Sequence, residues 1–212
     1  MTQTIRQYTT KNDVDIQSAT LRHQGFLKVM LYKLRFRTFE GHWTQVLSRE
    51  LLEKNSAVGV LLYDSNLQKV VLLEQFRPGS LNDEKSPWQI EIAAGLMDTE
   101  ETETEVAIRE TKEETGLFVR ELKSICRYWV SPGASNERMS VYCGLVDASQ
   151  ANGIHGLAEE GENIKVHVVD VKEAFHWLDT GLINNAAAII ALQWLRVQRS
   201  TIPLQVDNSG NL

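Results

Sequence analysis

Between Gly95 and Leu117 the chain reads GLMDTEETETEVAIRETKEETGL, which sets a glycine, an arginine and several glutamates at intervals that a helix can use. Thr102 followed by Glu105 is a capping-box pattern, and Gly116 suits a C-terminal stop. The spacing predicts a helix from about Glu103 to Thr115. At roughly 100° per residue, Glu110 and Glu114 project about 40° apart on one face, with Glu113 about 60° beyond Glu110 on the other side. Two carboxylates therefore converge and a third stands nearby. Like charges four residues apart repel by roughly 0.2–0.5 kcal/mol, and carboxylates in a last helical turn also oppose the helix dipole. An ordinary solvated helix would favour lysine there. A hard divalent cation accounts for the arrangement, because it takes carboxylate and carbonyl oxygens and keeps several waters for exchange with a substrate. Ala107 and Thr111 border the acidic line and, with Thr104 and Ile108, form a small-residue face expected to pack on a sheet.

The same positions resemble the signature of the Nudix hydrolases. In that pattern a glycine is followed by five residues, a Glu, seven residues and Arg-Glu, then by an apolar position, any residue, Glu-Glu, any residue and Gly. Gly95, Glu101, Arg109, Glu110, Glu113, Glu114, Gly116 and Leu117 fall on it. Thr111 departs, standing where the family usually has an aliphatic residue, and this puts local packing in question. So many fixed positions in so short a segment are a specific signal. Within the family the chain is similar to the bacterial ADP-ribose pyrophosphatases. The similarity runs through GFLKVMLYKLRFRTFEG near the start, SPGASNER from Ser131 to Arg138, GIHGLAEEGENIKVHVV and INNAAAIIALQWL, roughly residues 20 to 197.

The resemblance implies hydrolysis of ADP-ribose to AMP and ribose 5-phosphate by water attack on the pyrophosphate, with Mg²⁺ as cofactor and Mn²⁺ as its substitute. It makes Glu110, Glu114, the backbone carbonyl of Ala94 and Glu162 the metal ligands, and it leaves Glu113 open between ligand and support. Arg109 and Glu101 would hold the segment together through charge-assisted hydrogen bonds. A carboxylate committed to metal has little basicity left, so the base is sought in the loop AEEGEN, where Glu160 matches the family's position and Gly161 lets the loop close. For substrate, the resemblance implies Arg77 on a phosphate, Phe26 stacked on adenine with Leu27 lining its pocket, and contacts from Leu96 and Glu137. Ser131, Pro132 and Gly133 form a turn able to present backbone groups to a ribose. Arg49 and Glu50 would reach the partner's site in a homodimer with shared pockets. Two alternatives stand beside this reading: another nucleotide sugar such as GDP-mannose, or a non-catalytic Nudix-fold ligand sensor. The intact acidic segment and loop argue against the sensor.

Composition agrees. At 212 residues and 42% hydrophobic the chain can bury a substantial core. A net charge of −6 argues against nucleic acid as partner, whereas a nucleotide pocket needs only a few local cations. Cys126 and Cys143 form no CxxC pair and read as free thiols, which suits a reducing, cytoplasmic setting. No signal-like N-terminus is present, and the longest apolar run, Ala186 to Leu192, is far short of a membrane span, so no membrane association is expected. His23, His42, His155, His167 and His176 lack metal-site spacing.

The elements that must hold these residues follow from periodicity. Residues 1 to about 20 are polar and unpatterned, Leu34 and Phe36 alternate with basic residues as in a strand, and Gly41 turns the chain into a second strand through Trp43 to Leu47. AVGVLLYD and KVVLLEQF, joined by Ser65 to Gln68, read as a hairpin. Strands are expected around Trp88 to Ala93, Leu122 to Val130, Met139 to Val146 and Ile164 to Val169, with further helices over VKEAFHWLDTG and NNAAAIIALQWLRVQ. The expected fold is α/β (α+β), an α/β/α sandwich of the Nudix type with a small N-terminal antiparallel sheet. So small a sheet needs a partner surface, and the resemblance implies that residues 1–53 form the dimerisation unit. Residues 54–200 would form the hydrolase domain and 201–212 a loose tail.

Overall fold

The computed structural model describes residues 8–97, 100–157, 159 and 161–201. These fall into two compact units. One runs to Asn55 and includes Trp129–Arg138; the other comprises Ser56–Tyr128 and the chain from Met139 onward.

The first unit opens with a short helix, α1 (Thr10–Asp13), and continues as β1 (Val14–Gln24), β2 (Lys28–Phe36) and β3 (Leu47–Glu53). They form a three-stranded antiparallel sheet in the order β1-β2-β3. Two expectations need correction. The stretch before residue 20 is not irregular but supplies most of β1; no residue of that strand is buried, so there was no apolar alternation to read. The strand expected from Trp43 begins only at Leu47, because Gly41 takes a left-handed φ of 90° and leaves a loop with a single bridge between Arg37 and Trp43. The Arg37 guanidinium lies over the Trp43 ring at 4.5 Å, which fixes the loop by a cation–π contact. The 129–138 segment joins this unit through Leu52, whose N–H donates to the Ala134 carbonyl at 2.8 Å, and through a Lys54–Glu137 ion pair at 2.8 Å.

The second unit contains β4 (Ala57–Asp64), β5 (Lys69–Phe76), β6 (Trp88–Glu91), β7 (Ala93–Leu96), α2 (Glu103–Thr115), β8 (Glu121–Trp129) and β9 (Arg138–Leu145). It ends with β10 (Ile154–His155), β11 (Ile164–Asp170), α3 (Val171–Asp179) and α4 (Ala186–Thr201). The main sheet runs β10-β11-β5-β4-β9-β8, with β4 parallel to β9. β4 and β5 read as near-continuous apolar runs because both faces of the sheet are covered. On one face Val58, Val60, Leu62, Val71 and Leu73 pack with Val106 and Ala107 of α2. On the other, Leu61, Val70 and Leu72 pack with Val171 and Ala174 of α3 and with Ala188, Ala191, Leu192 and Leu195 of α4. The unit is therefore the expected α/β/α sandwich.

The single strand expected from Trp88 to Ala93 is two. β6 pairs with β5 and β7 with β4, so the chain changes neighbours at Ile92. Cys143 is buried and Cys126 half-buried, both as free thiols. Among the described residues, no helix is long and apolar enough to cross a membrane.

Candidate active site

Both reciprocal bonds of the capping box at the start of α2 are present. Glu105 N–H donates to Thr102 Oγ1 at 3.3 Å, and Thr102 N–H donates to the Glu105 carboxylate at 2.8 Å. Gly116 closes the helix in the left-handed conformation at φ 72°. Glu103 fastens the first turn to the sheet by accepting from Tyr142 Oη at 2.7 Å and pairing with Arg127, which in turn donates to Ser140 Oγ at 3.0 Å. Burial pushes the Glu103 carboxyl up, but these donors outweigh it and hold it below the usual range.

The packed face of α2 is Val106, Ala107, Thr111, Glu114 and Thr115. Thr104 and Ile108, expected on that face, are exposed, Ile108 by 45%, because it lies about 100° round the helix from Ala107. Thr111 resolves the doubt about packing, since its hydroxyl donates to the Ala107 carbonyl at 2.7 Å and so enters the core with its polar atom satisfied.

Glu114 is only 3% exposed, and its Oε2 accepts from the Ala94 N–H of β7 at 2.9 Å. Burial pushes its carboxyl up to about 8 against that N–H, and the charges of Glu110 and Glu162 push the same way. Burial likewise raises Glu110, with Arg109 opposing. Gly95 is required by close approach: a Cβ there would sit 1.8 Å from Glu110 Oε1. Arg109 gathers the segment. Its Nε donates to both oxygens of Glu101 at 3.1 Å, its Nη2 to Glu101 at 3.0 Å, and its Nη1 to Glu110 at 2.8 Å and Glu113 at 3.2 Å. Glu101 is the main reason its guanidinium is held even more firmly protonated than usual.

Glu162 follows β10 on the loop toward β11. Its carboxylate accepts from Leu157 N–H at 3.0 Å, while its own N–H donates to the Leu157 carbonyl at 3.2 Å. Gly156, at φ 97°, permits this ring, since a Cβ there would come 2.7 Å from Glu162 Cβ. Glu160, the expected base, lies outside the described residues, as do Ala158, Asp98, Thr99 and the 202–212 tail.

Two carboxylates, Glu110 and Glu114, whose proton affinity is raised by burial and by the nearby charge of Glu162, beside a glycine whose missing side chain makes room for Glu110, fit a hard divalent cation. Among the described residues, no three His, Cys, Asp or Glu side chains stand ready as a cage. Each instead accepts from a protein donor: Glu110 from Arg109, Glu114 from Ala94 N–H and Glu162 from Leu157 N–H. Gly95→Ala is expected to weaken divalent-ion binding and lower turnover roughly a hundredfold by displacing Glu110. A Mn²⁺ titration followed by electron paramagnetic resonance checks this, and unchanged binding would show that Glu110 can move aside freely.

Arg77 follows β5 and lies against Glu91, with Nε at 3.1 and 3.3 Å from the two carboxylate oxygens and Nη2 at 2.9 Å from one of them. Its charge opposes the rise at Glu114, so it acts on the same cluster. Glu91 escaped the sequence reading. Its one signal is a lone carboxylate in the apolar run IEIAA, facing opposite to Ile90 and Ile92. Trp88, which packs edge-on with Phe76 at 5.5 Å, is 52% exposed. Leu96 is exposed at the end of β7.

In the first unit, Phe26 is 99% exposed in the turn joining β1 to β2, with Leu27 beside it, and Arg49 and Glu50 are exposed on β3. Core packing, the common fate of such a phenylalanine, is thereby excluded for Phe26. The Ser131–Pro132–Gly133 turn is closed by the Ser131 carbonyl, which accepts from Ala134 N–H at 3.0 Å and Ser135 N–H at 2.8 Å. Glu137 is held by Lys54.

The NUDIX domain family matches residues 53–193. The chain is 41% identical over 192 residues to the ADP-ribose pyrophosphatase of Escherichia coli (strain K12), covering 91% of this chain and 92% of that one. To the GDP-mannose pyrophosphatase of Enterobacter sp. (strain 638) it is 35% identical over 152 residues, covering 70% of this chain and 78% of the relative. A crystal structure of an ADP compounds hydrolase superposes with a TM-score of 0.69 at 19% identity, covering 89% of this chain and 95% of that one, and shows the same fold. The family match takes in β7 and α2 entire, with every carboxylate that raises Glu114, and it leaves no ambiguity about descent: this chain belongs to the Nudix family.

Proposed function

We propose that this chain is an ADP-ribose pyrophosphatase, cleaving ADP-ribose to AMP and ribose 5-phosphate with Mg²⁺, for which Mn²⁺ substitutes. The observation that carries the substrate is the 41% identity to an ADP-ribose pyrophosphatase across 91% of the chain. The shorter and weaker likeness to a GDP-mannose pyrophosphatase makes that sugar nucleotide the second candidate.

Glu110, Glu114, Glu162 and the Ala94 carbonyl would hold the cation. When bound, it neutralises charge on the pyrophosphate and lowers the pKa of a water. Arg109 keeps Glu110 and Glu113 in register, and Glu113, tied to Arg109, supports the cluster. Arg77 binds the diphosphate, and Glu160 takes the proton from the attacking water. Phe26 stacks on adenine beside Leu27, with Leu96, the Ser131–Gly133 turn and Glu137 as further contacts.

The protein works as a homodimer, with Arg49 and Glu50 reaching into the partner's pocket. A sheet whose first strand has no buried residue and whose turn exposes Phe26 supports this reading, since such a surface gains from a cover. The two free cysteines suit a cytoplasmic setting.

Incubation with ADP-ribose or GDP-mannose, Mg²⁺ and ¹⁸O-water, with a chelator control, tests the substrate. AMP from ADP-ribose at the higher kcat/KM supports the proposal. Preference for GDP-mannose would reassign the substrate, and no product from any nucleotide sugar would make the protein a ligand sensor. For the dimer, specific activity is expected to fall on dilution together with the sedimenting mass; a fully active monomer would rule out shared pockets.

A further inference from the structure

Arg77 does not wave in solvent. Its backbone N–H donates to the Pro87 carbonyl at 2.9 Å, and its own carbonyl accepts from Ser80 N–H at 3.0 Å and Ser80 Oγ at 2.9 Å. Its guanidinium meets Glu91 along one edge, through Nε and Nη2. The two partners differ in burial: the Glu91 side chain is 16% exposed and that of Arg77 45%. Behind Glu91, the nearly buried Gln75 donates its amide to Glu91 Oε2 at 3.1 Å. The pairing register sets Glu91 opposite Leu73, whose side chain belongs to the core beneath α2, and Gln75 and Arg77 follow Leu73 at the two-residue period of that face. A buried amide thus fixes a mostly buried carboxylate, and the carboxylate fixes a half-exposed guanidinium on the side of the sheet that carries Glu114.

We propose that Glu91, backed by Gln75, is the positioning residue that presents Arg77 to the diphosphate of the substrate; this rests on the reading of Arg77 as the phosphate-binding arginine. A guanidinium is a planar fork, so engaging its Nε–Nη2 edge also fixes where its Nη1 edge points. Nη1 has no protein acceptor among the described residues and is the edge left for a phosphate oxygen. Holding the side chain in one rotamer before substrate arrives removes an ordering cost from binding. Glu91 itself touches no substrate.

The test is a double-mutant cycle on the full chain, read as KM, kcat and the Kd of a non-hydrolysable methylene analogue of ADP-ribose. Glu91→Gln is expected to raise KM and the analogue Kd about tenfold, with kcat within about threefold, since a pre-positioned contact made in both ground and transition states acts on binding. Arg77→Gln is expected to raise both at least as much, and the double variant to be no worse than Arg77→Gln alone. Additive losses in the double variant would overturn the proposal, because a merely structural role for Glu91 persists without Arg77. Unchanged KM in Glu91→Gln overturns it directly. Unchanged KM in Arg77→Gln overturns the reading of Arg77 on which it rests, and the two failures are told apart by which single variant is silent. Should Glu91→Gln fail to fold, Gln75→Leu carries the same cycle: a KM rise of about threefold that vanishes with Arg77→Gln supports the proposal, and an unchanged KM overturns it.

Discussion

Glutamine in place of Glu114 is expected to lower turnover on the order of a thousandfold and, in the same protein stripped of metal, to raise the melting temperature at pH 9. Both effects come from one buried carboxylate. Glu114 is 3% exposed, and burial first, then the charges of Glu110 and Glu162, lift its carboxyl from 4.5 to about 8 against the Ala94 N–H. The unfolded chain loses this proton near 4.5, whereas the folded protein keeps it to about 8. Between those values the native state binds more protons than the unfolded state, so stability falls as pH rises through the window. By pH 9 the whole penalty is present, on the order of a few kcal/mol. Glutamine has the same shape, carries no charge, and offers a carbonyl to the Ala94 N–H. The melting curves of wild type and variant in chelator should therefore coincide near pH 5 and separate steadily toward pH 9, with the variant the more stable. The same proton links metal to pH: below about 8 a cation must displace it from Glu114, so metal affinity of the wild type should weaken as pH falls. Equal melting temperatures at pH 9 would mean that Glu114 is not strained, and wild-type turnover would remove it from the site.

Such a trade between stability and function was legible in the sequence only where one element carried the whole signal. The ends of α2 could be read because the capping box and Gly116 are local devices, each complete within a few residues. The convergence of Glu110 and Glu114 follows from helix pitch alone. The β4–β5 hairpin was equally readable, its two apolar runs being separated by a short polar turn. β1 was not, because a strand with no buried residue has no pattern, and only its pairing with β2 makes it a strand. The break at Ile92 was hidden by a different condition: Ile90, Ile92 and Ala93 carry an apolar run straight through it, and a change of neighbour from β5 to β4 leaves no mark on the sequence. Thr104 and Ile108 lie off the packed face because the pitch of the helix turns them past the sheet, which residue type alone does not reveal. Glu91 was missed for a reason of distance. Its partner Arg77 lies 14 residues earlier, and nothing in either residue alone predicts that the register of β5 and β6 will set them side by side.

In the loop after β10, Glu160 and Glu162 flank Gly161, and their substitutions are expected to fail in different ways. Glu160→Gln should reduce kcat by roughly a hundredfold to ten-thousandfold, the range that general-base catalysis supplies, while leaving Mn²⁺ and analogue binding close to wild type. Glu162→Gln should instead weaken Mn²⁺ binding, because Glu162 already acts on the Glu110–Glu114 pair through space and raises both. The separation has a structural reason. Glu162 is held inside the ring that it closes with Leu157, where Gly156 lets the two backbones approach, so its carboxylate starts within electrostatic range of the cluster. Gly161, at φ 74°, turns the chain immediately before Glu162. Saturating metal should accordingly rescue much of the activity of Glu162→Gln and none of Glu160→Gln. Near-normal kcat in Glu160→Gln would sink its assignment as base. Recovery of both variants at high metal would mean that the loop contributes ligands only, and the proton would have to leave the attacking water by another route.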